Sequence, residues 1–370
     1  MKRKGQVKSI QKDKSVFFPT LKERVDAYFE TNHISKNANA AMVFKTIVML
    51  SIYIGPFVLL LLQNPPLPLS LLYWVIMGIG LAGVGMSVMH DANHGAYSSS
   101  NFVNFIMGSI LNLLGASTFN WKLQHNILHH TYTNITHMDD DISDKPMLRF
   151  SPHAEVKKYH KYQWVNAFLF YGLTSIYWVL LKDFVQFSKY TKQGVNSTNR
   201  SQNFWALLKI ILVKLIYTFV VLVMPTLFFS LPLGQVIGGF VLMHFVAGII
   251  LTVTFQLAHT VESTTHPLPN EDGIIENNWA VHQMNTTVNF SRSNKFISWY
   301  VGGLNFQVEH HLFPKISHVH YSAIAHIVKE TAEEFNVPYL ENKTLMDAIR
   351  SHIATLERFG KLPDLNEAIG

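Results

Sequence analysis

Residues 68–94 of the chain read PLSLLYWVIMGIGLAGVGMSVMHDANH, an apolar stretch that runs directly into a pair of histidines. No Asp, Glu, Lys or Arg occurs between Pro68 and Met89, and about 20 apolar residues suffice to cross a bilayer as a helix. The spacing of His90 and His94 places both imidazoles on one face of a helix. The stretch therefore predicts a transmembrane helix that ends at a candidate metal-binding pair.

Further apolar runs at 42–63, 208–229 and 235–258 are also long enough to cross a membrane. With the run at 68–89 they form two hairpins, joined by the turns Asn64-Pro65-Pro66-Leu67 and Ser230-Leu231-Pro232-Leu233-Gly234. Neither turn contains Lys or Arg. Because basic residues favour the cytoplasmic side, we expect both turns outside and both termini in the cytoplasm. Near inner helix ends, Lys45, Lys209 and Lys214 are expected to snorkel toward water.

Two other apolar stretches, 102–118 and 164–181, are predicted to be re-entrant or interfacial helices. If either crossed the membrane alone, the histidine clusters described below would lie on opposite sides. The patterns at 320–335 and 344–359 predict soluble-type helices, the second with Thr344 and Asp347 as a capping pair. The predicted fold is an all-α integral membrane protein. It has four transmembrane helices, re-entrant or interfacial helices, and a cytoplasmic helical cap carrying a di-metal site.

The composition fits this fold and excludes several kinds of chemistry. Of the 370 residues, 48% are hydrophobic and only 15% are charged, against about 25% charged in a typical soluble domain. The chain has no cysteine, which rules out thiolate metal sites, iron–sulfur clusters and disulfides. The net charge of +6 comes from Lys and Arg that flank hydrophobic segments, so no nucleic-acid partner is expected. The basic N-terminus does not resemble a secretory signal.

Histidines are concentrated in three windows: His90-Asp91-Ala92-Asn93-His94, His125-Asn126-Ile127-Leu128-His129-His130 and Gln307-Val308-Glu309-His310-His311. In the predicted topology all three lie on the cytoplasmic side, at the membrane boundary. Imidazole-rich sites without cysteine suit iron, copper or zinc, and so many imidazoles favour two ions over a single zinc. His259 joins the set because it lies at the inner end of the last span. The predicted metal ligands are His90, His94, His125, His129, His130, His259, His310 and His311.

Polar residues close to these windows are predicted to support the metal centre. A metal-bound imidazole usually donates its second N–H to a carboxylate or a carbonyl. Gln307 is predicted to bind weakly, to accept a hydrogen bond or to orient a water molecule. The predicted supporting residues are Gln307, Asp91, Asp140, Glu262 and Glu309.

The three windows resemble the histidine boxes of the membrane-bound fatty acid desaturases, H-x(3)-H, H-x(3)-H-H and Q/H-x(2)-H-H. Here they read HDANH (90–94), HNILHH (125–130) and QVEHH (307–311). Trp121 before the second box and Thr133-Asn134 after it also fit, and the resemblance covers about residues 40–330. Gln307 at the start of the third box resembles the front-end desaturases, which act between an existing double bond and the carboxyl end.

The resemblance implies an oxidoreductase that inserts a cis double bond into a long acyl chain, carried as a coenzyme A thioester, a membrane lipid or a carrier-protein ester. It implies two iron ions as cofactor and O2 as co-substrate. The sequence contains no His-Pro-Gly-Gly haem motif. Electrons are therefore expected from a separate ferredoxin, or from a cytochrome b5-type protein with its reductase. Aromatic candidates for the walls of an acyl channel are Trp121, Tyr132, Trp279 and Trp299.

The predicted domains are a cytoplasmic segment at 1–40, a desaturase membrane domain at 41–330 and a cytoplasmic helical tail at 331–370. The lack of an organelle-targeting segment and of a fused haem domain predicts a bacterial inner-membrane location. Two alternatives stay open. A di-iron hydroxylase or ketolase acting on a lipid or alkane would use similar histidine clusters. A membrane receptor or adaptor with a structural zinc would need far fewer histidines.

Overall fold

The computed structural model describes residues 8–9, 16–142, 147–271, 273–275 and 278–363, and these are mostly helical. They form two compact units. The first unit consists of Met1–Asn37, Lys122–Ala167 and Thr254–Gly370, and the second of Ala38–Trp121 and Phe168–Val253. The helical content and the long apolar helices confirm the predicted all-α membrane fold. The domain limits at residues 40 and 330 stay a prediction.

The second unit contains most of the long apolar helices. Its helical segments, two of which continue into the first unit, are Ala40–Gln63, Leu67–Gly83, Val84–Val88 (a π-helix), Met89–Asn93, Asn101–Leu113, Thr118–Trp121, Gln163–Tyr177, Trp178–Lys182 (π), Asp183–Gln193, Arg200–Thr218, Phe219–Val223 (π), Met224–Phe229 and Leu233–His259. Within the described residues, five continuous helices are long and apolar enough to cross a membrane: Ala40–Gln63, Leu67–Asn93, Lys158–Gln193, Arg200–Phe229 and Leu233–His259.

The first predicted hairpin is formed as the sequence indicates. Asn64 ends the helix Ala40–Gln63 in the left-handed region (φ 43°), and the next helix begins at Leu67 with a proline at its start. Proline at the first helical turn is well tolerated because its missing N–H would have no partner there. The two helices approach closely at Gly80, where an added Cβ would lie 2.5 Å from the backbone nitrogen of Tyr53. Glycine is therefore required for this packing.

The helix Lys158–Gln193 is longer than the sequence predicts. The apolar stretch 164–181 is only its middle part, and the whole helix has 36 residues, enough to cross a membrane by length and composition. Its C-terminal part includes Asp183, a buried carboxylate that is neutralised by Lys214, with Nζ 2.5 Å from Oδ2. The four-span topology stays a prediction.

The other ambiguous stretch, 102–118, forms a sharply bent pair of helices. The chain bends by 110° between the helix Asn101–Leu113 and the helical stretch Thr118–Tyr132. This shape is typical of a broken span or a re-entrant loop. Gly115 lies at the bend with φ +76°, a conformation that glycine adopts without strain.

Two lysines that were expected to snorkel are instead buried in the second unit. Lys45 is 3% exposed and Lys214 is 8% exposed. Besides its ion pair with Asp183, Lys214 donates to the carbonyls of Gly115 (2.6 Å) and Trp178 (2.8 Å). The expectation was wrong for both side chains, and for Lys214 the reason is that internal acceptors replace water as the partner of the ammonium group.

The first unit holds the second and third histidine boxes and is built from shorter elements. Its helical segments are Phe17–Thr31, Lys122–His129 (π), His130–Tyr132, Lys158–Tyr162 (3-10), Trp279–Thr286, Lys295–Tyr300, Gln307–Leu312, His318–His320 (3-10), Tyr321–Glu334 and Leu345–Lys361. Two parallel strand pairs join Lys8–Ser9 to Ile274–Ile275 and Asn289–Phe290 to Glu341–Asn342.

The predicted C-terminal helices are confirmed, including the capping box of Thr344 and Asp347. The helix Tyr321–Glu334 packs against Phe17–Thr31, and both contribute to one apolar core with the third box helix. Its members include Leu21, Val25, Val308, Ile324 and Val328, which are fully buried. Burial of each such side chain favours folding by roughly 1.5–3 kcal/mol.

Candidate metal centre

The second histidine box lies in a π-helix rather than in the α-helix that the four-residue spacing predicts. The segment Lys122–His129 has this form, with hydrogen bonds between residues five apart. As a result the His125 ring is close to both later histidines of its box, with centroids 5.2 Å from His129 and 4.9 Å from His130. π-helical turns occur often at functional sites.

The imidazoles of His129, His259 and His311 come together in the first unit. Each offers one ring nitrogen, and these nitrogens lie within 4.8 Å of one another. All three side chains are fully buried. They come from the π-helix, from the end of Leu233–His259 and from Gln307–Leu312. His259, which the sequence suggests by position alone, lies within this group.

Each of these rings is held through Nδ1 by an oxygen acceptor. Nδ1 of His129 lies 3.0 Å from Oδ2 of Asp139, Nδ1 of His259 lies 3.2 Å from the carbonyl of Thr286, and Nδ1 of His311 lies 2.7 Å from Oε1 of Gln283. Since Nδ1–H donates in each pair, Nε2 is left with its lone pair. This is the tautomer of an imidazole that binds metal through Nε2.

The remaining nitrogens fit a metal ion. Nε2 of His129 is buried and has no hydrogen-bond partner in the described part of the chain. The amide nitrogen of Gln307 lies 3.0 Å from Nε2 of His259 and 3.3 Å from Nε2 of His311. The nitrogen and oxygen of a glutamine amide are exchanged by a half-turn, so the same position can offer an oxygen ligand. The donor set of three imidazoles and one amide suits a transition metal.

Three other box histidines lie beside this cluster. The His310 ring is stacked on His125 with centroids 5.9 Å apart, and the His130 ring lies 4.8 Å from His310 and 4.5 Å from His311. Nδ1 of His310 is 3.1 Å from the Tyr321 hydroxyl. The first unit therefore brings together every predicted ligand except those of the first box.

The first box lies in the second unit, directly after the π-helix Val84–Val88. The rings of His90 and His94 are 4.8 Å apart, so the spacing produces the predicted pair on one helix face. Trp121 packs edge-on against both rings, with centroids 5.7 Å from each. Its contact is with the imidazoles themselves, and a role as a channel wall stays a prediction.

The carboxylates predicted to support the centre differ in where they lie. Within the run 139–141, Asp139 holds His129, and Asp141 lies 3.8 Å from Nδ1 of His125. Asp140, the predicted member, is buried in the same loop. Asp91 is buried beside the first box. The side chain of Glu262 is exposed and lines a surface cavity of about 550 Å³. A residue that holds a buried imidazole would itself be buried, so this position does not fit the predicted supporting role.

Glu309 is fully buried, but its contacts are not with an imidazole. Its carboxylate accepts hydrogen bonds from the Tyr339 hydroxyl (2.7 Å) and from the Asn289 amide (2.8 Å). Burial raises the pKa of Glu309, and these two donors act in the opposite direction. In the described structure Glu309 therefore supports the third box from its far side.

The aromatic candidates of the first unit have different surroundings. Tyr132 is buried. Trp279 donates from Nε1 to the carbonyl of His130 (3.0 Å) and packs edge-on against Phe18, so it belongs to the core near the second box. Trp299 is half-buried on the helix Lys295–Tyr300. A channel role for these residues stays a prediction.

Several residues of the centre are missed when ligands are sought by histidine spacing alone. Gln283 holds His311 and also donates to the carbonyl of His130 (3.2 Å), while the Thr133 hydroxyl lies 2.9 Å from Oε1 of Gln283. His282 donates from Nε2 to the carbonyl of Thr133 (2.9 Å), and burial lowers its pKa to about 4. Thr133 and Asn134 can be recognised in the sequence because they flank the second box. No sequence pattern marks Gln283.

The chain matches known proteins over most of its length. A family model described as fatty acid desaturase matches residues 34–343. An sn-1 linoleoyl-lipid 6-desaturase of Arthrospira platensis is 34% identical, over 94% of this chain and 94% of its own. The protein of the same name from Synechocystis sp. is 35% identical, over 93% and 96%. An acyl-lipid (8-3)-desaturase of Physcomitrium patens is 34% identical, over 93% and 72%.

The fold and the site define a helical membrane protein with a buried histidine cluster that is able to hold a metal ion. The chain belongs to the fatty acid desaturase family. It is thus an oxidoreductase of lipid metabolism that acts on a fatty acyl substrate in a membrane, which confirms the resemblance seen in the histidine boxes.

Proposed function

We propose that this desaturase inserts a cis double bond into a long acyl chain of a membrane lipid, between an existing double bond and the carboxyl end, in an oxygen-dependent reaction at two irons. The observation that carries the proposal is the cluster of His129, His259 and His311, with each Nδ1 held by an acceptor and Gln307 beside their Nε2 atoms. The names of the cyanobacterial relatives, which refer to linoleoyl-lipid, support a lipid-bound substrate.

In this proposal His129, His259 and His311 bind one iron, with Gln307 as a weak ligand or as the residue that orients a water. The remaining predicted ligands, His90, His94, His125, His130 and His310, belong to the di-iron prediction made from the three histidine boxes. Bound iron supplies the activation of O2 that removal of hydrogen from two adjacent methylenes requires. The four electrons that reduce O2 to two waters come from the two C–H bonds and from an external donor, and two protons are taken up.

The residues of the chain contribute position and exclusion of water. Asp139, Gln283 and the Thr286 carbonyl hold the rings in one tautomer, so the Nε2 lone pairs are directed toward the metal before it binds. Burial of the rings keeps bulk water away from the reactive centre. Since all methylenes of an acyl chain are chemically alike, the selected carbon pair is the one that the protein holds nearest to the metals.

The electron donor is proposed to be a separate ferredoxin, or a cytochrome b5-type protein with its reductase. Both termini and the active site are placed in the cytoplasm, and the host membrane is proposed to be a bacterial inner membrane. The placement of the termini and of the active site rests on the distribution of Lys and Arg around the apolar runs.

The test is mass spectrometry of total fatty acids from aerated cells that express the chain and are fed linoleic acid, with ferredoxin and its reductase supplied. We expect a new double bond on the carboxyl side of the existing ones. His311→Ala should reduce this product at least 100-fold, whereas His326→Ala, which removes an exposed histidine, should leave it unchanged. A hydroxylated product would show a hydroxylase, and an unchanged profile with iron bound would refute the proposal.

A further inference from the structure

The third histidine box lies on a helix that is too short to hold itself in place. Gln307–Leu312 has 6 residues, and no side chain caps it at its own N-cap position, Phe306. Isolated helices of this length are unstable in water, so contacts from elsewhere must fix its direction. Gln307, His310 and His311, at positions i, i+3 and i+4, share one face of the helix, and Val308 and Glu309 lie outside that face.

Asn289 caps this helix from another part of the chain. Its Oδ1 accepts the backbone N–H of Val308 (2.9 Å), which is one of the N-terminal donors that a helix leaves without an internal partner. Its Nδ2 lies 2.8 Å from Oε2 of Glu309 and 2.8 Å from the hydroxyl of Tyr339. A single asparagine thus binds both the backbone and a side chain of the third box.

Glu309 provides the second attachment. The carboxylate is fully buried, and an isolated buried carboxylate is strongly unfavourable unless hydrogen-bond donors surround it. Those donors are the Asn289 amide and the Tyr339 hydroxyl, the latter 2.7 Å from Oε1. The helix cannot turn about its axis without breaking these bonds.

Tyr339 is delivered by the C-terminal segment of the chain. The strand Glu341–Asn342 pairs in parallel with Asn289–Phe290, which places Tyr339 next to Asn289. Arg292 forms a bidentate ion pair with Glu341 (2.8 and 2.6 Å) and lies 5.3 Å above the Tyr339 ring. The segment that carries Tyr339 is therefore attached both by its backbone pairing and by the ion pair of Arg292 with Glu341.

We propose that Asn289, Glu309 and Tyr339 are positioning residues of the desaturase. They fix the helix Gln307–Leu312 from its far side and so direct Gln307, His310 and His311 toward the metals. Tyr339, which lies in the predicted tail, then completes the surroundings of the third box. The inference rests on the proposed function only in that it takes the third-box histidines as metal ligands.

The test compares metal binding in Tyr339→Phe and Asn289→Leu with a matched control, Asn294→Ala. Asn294 caps the helix Lys295–Tyr300 by accepting from the N–H of Ile297 (3.0 Å), so its loss removes a similar cap from a helix without ligands. Purified protein in detergent is titrated with Co(II) alone, and affinity is read from the visible absorption bands and from competition with a chelator. Iron content and the thermal midpoint are measured on the same samples.

We expect Tyr339→Phe and Asn289→Leu to weaken Co(II) binding 10- to 100-fold, the range found for residues that orient metal ligands, and to change the cobalt spectrum. Asn294→Ala should lower the thermal midpoint by a similar amount, but it should keep the wild-type Co(II) affinity and spectrum. Wild-type affinity and spectrum in Tyr339→Phe would overturn the inference, even if Asn289→Leu failed to fold. The Co(II) titration contains no substrate, so its result does not depend on the desaturation reaction. If the wild-type chain bound metal but made no double bond in cells, only the proposed function would be refuted.

Discussion

The first unit contains several histidines that burial keeps uncharged. His352 is fully buried, its Nδ1–H donates to the carbonyl of Thr260 (2.7 Å), and burial lowers its pKa to about 4. Burial likewise lowers the pKa of His266 to about 3 and the pKa of His282 to about 4. Each of these residues takes up a proton more readily in the unfolded chain, where an imidazole has a pKa of about 6.5.

This difference predicts a loss of stability in acid. Between pH 6.5 and 4 the unfolded chain binds more protons than the folded one, so the free energy of unfolding falls as the pH is lowered. The contribution of His352 is fully present above pH 6.5 and is lost toward pH 4, by up to about 3 kcal/mol. His352→Asn keeps a donor for Thr260 but cannot titrate. In thermal melts from pH 7 to 4.5 its midpoint should fall less steeply than that of the wild type.

The exposed His326 provides the control for this experiment. His326→Asn should have the same pH dependence as the wild type, because this side chain is exposed to solvent and is not buried on folding. An unchanged slope in His352→Asn would mean that His352 is protonated in the folded protein at low pH.

At the scale of single residues, spacing predicts the ligands better than it predicts their partners. A histidine four residues from another is visible in the sequence, and the boxes locate His125, His129 and His311 directly. The acceptors come from distant parts of the chain: Gln283 and the Thr286 carbonyl approach their rings through the fold. The sequence points to Asp140 in the run 139–141, whereas the loop geometry brings its neighbours Asp139 and Asp141 to the second box.

Among the helices, the buried ion pair of the second unit is a feature that hydropathy does not reveal. Lys214 and Asp183 lie on different helices, and Asp183 also accepts the backbone N–H of Ser117 (3.0 Å) at the bend of the 101–132 pair. Removing one partner of such a pair leaves the other charge buried, which typically costs about 3–5 kcal/mol. Lys214→Met should therefore lower the thermal midpoint strongly.

The double variant Lys214→Met/Asp183→Asn should regain most of this loss, because no unpaired charge remains. Lys209→Met is the matched control on the same helix: Lys209 is exposed and lies 5.8 Å over the Phe105 ring, a contact worth about 0.5–1 kcal/mol at an exposed site. A double variant no more stable than Lys214→Met would show that the pair is not the source of the effect.

The π-helical second box shows why local patterns were insufficient at this scale. Four-residue spacing indicates an α-helix, and nothing in residues 122–130 signals the wider turn. The π form is stabilised by the surroundings of the segment, including the contacts of His129 with Asp139 and of Gln124 with Asp141. Helix positions, hairpin turns and caps are predictable because each depends on neighbouring residues. The contacts of this segment are with a loop 10 to 17 residues further along the chain, beyond the reach of a helical spacing pattern.

For the whole molecule, the number of crossings decides on which side each histidine box lies. Five helices of the described chain are able to cross a membrane, and the bent pair would make a sixth span. If Lys158–Gln193 crossed, the third box would be separated from the second, and if the bent pair crossed alone, the second box would be separated from the first. Four crossings, by Ala40–Gln63, Leu67–Asn93, Arg200–Phe229 and Leu233–His259, keep all three boxes on one side.

This topology is testable by cysteine labelling, because the natural chain has no cysteine to mask. Leu67→Cys lies in the first turn and Ser197→Cys lies between Gln193 and Arg200, and both positions are exposed. With a membrane-impermeant maleimide, Leu67→Cys should react in intact cells and Ser197→Cys only after the membrane is opened. Reaction of Ser197→Cys in intact cells would mean that Lys158–Gln193 crosses the membrane.

The order in which the ribosome releases the chain has a consequence for the first unit, whose segments lie at both ends of the sequence. All residues of the second unit have been synthesised by Val253, but the helix Phe17–Thr31 must wait for Tyr321–Glu334 before its buried face is covered. Domains usually fold as units during synthesis. Membrane insertion therefore precedes closure of the histidine cluster, and a chain cut short before Tyr339 would be inserted in the membrane with Glu309 lacking one of its two donors.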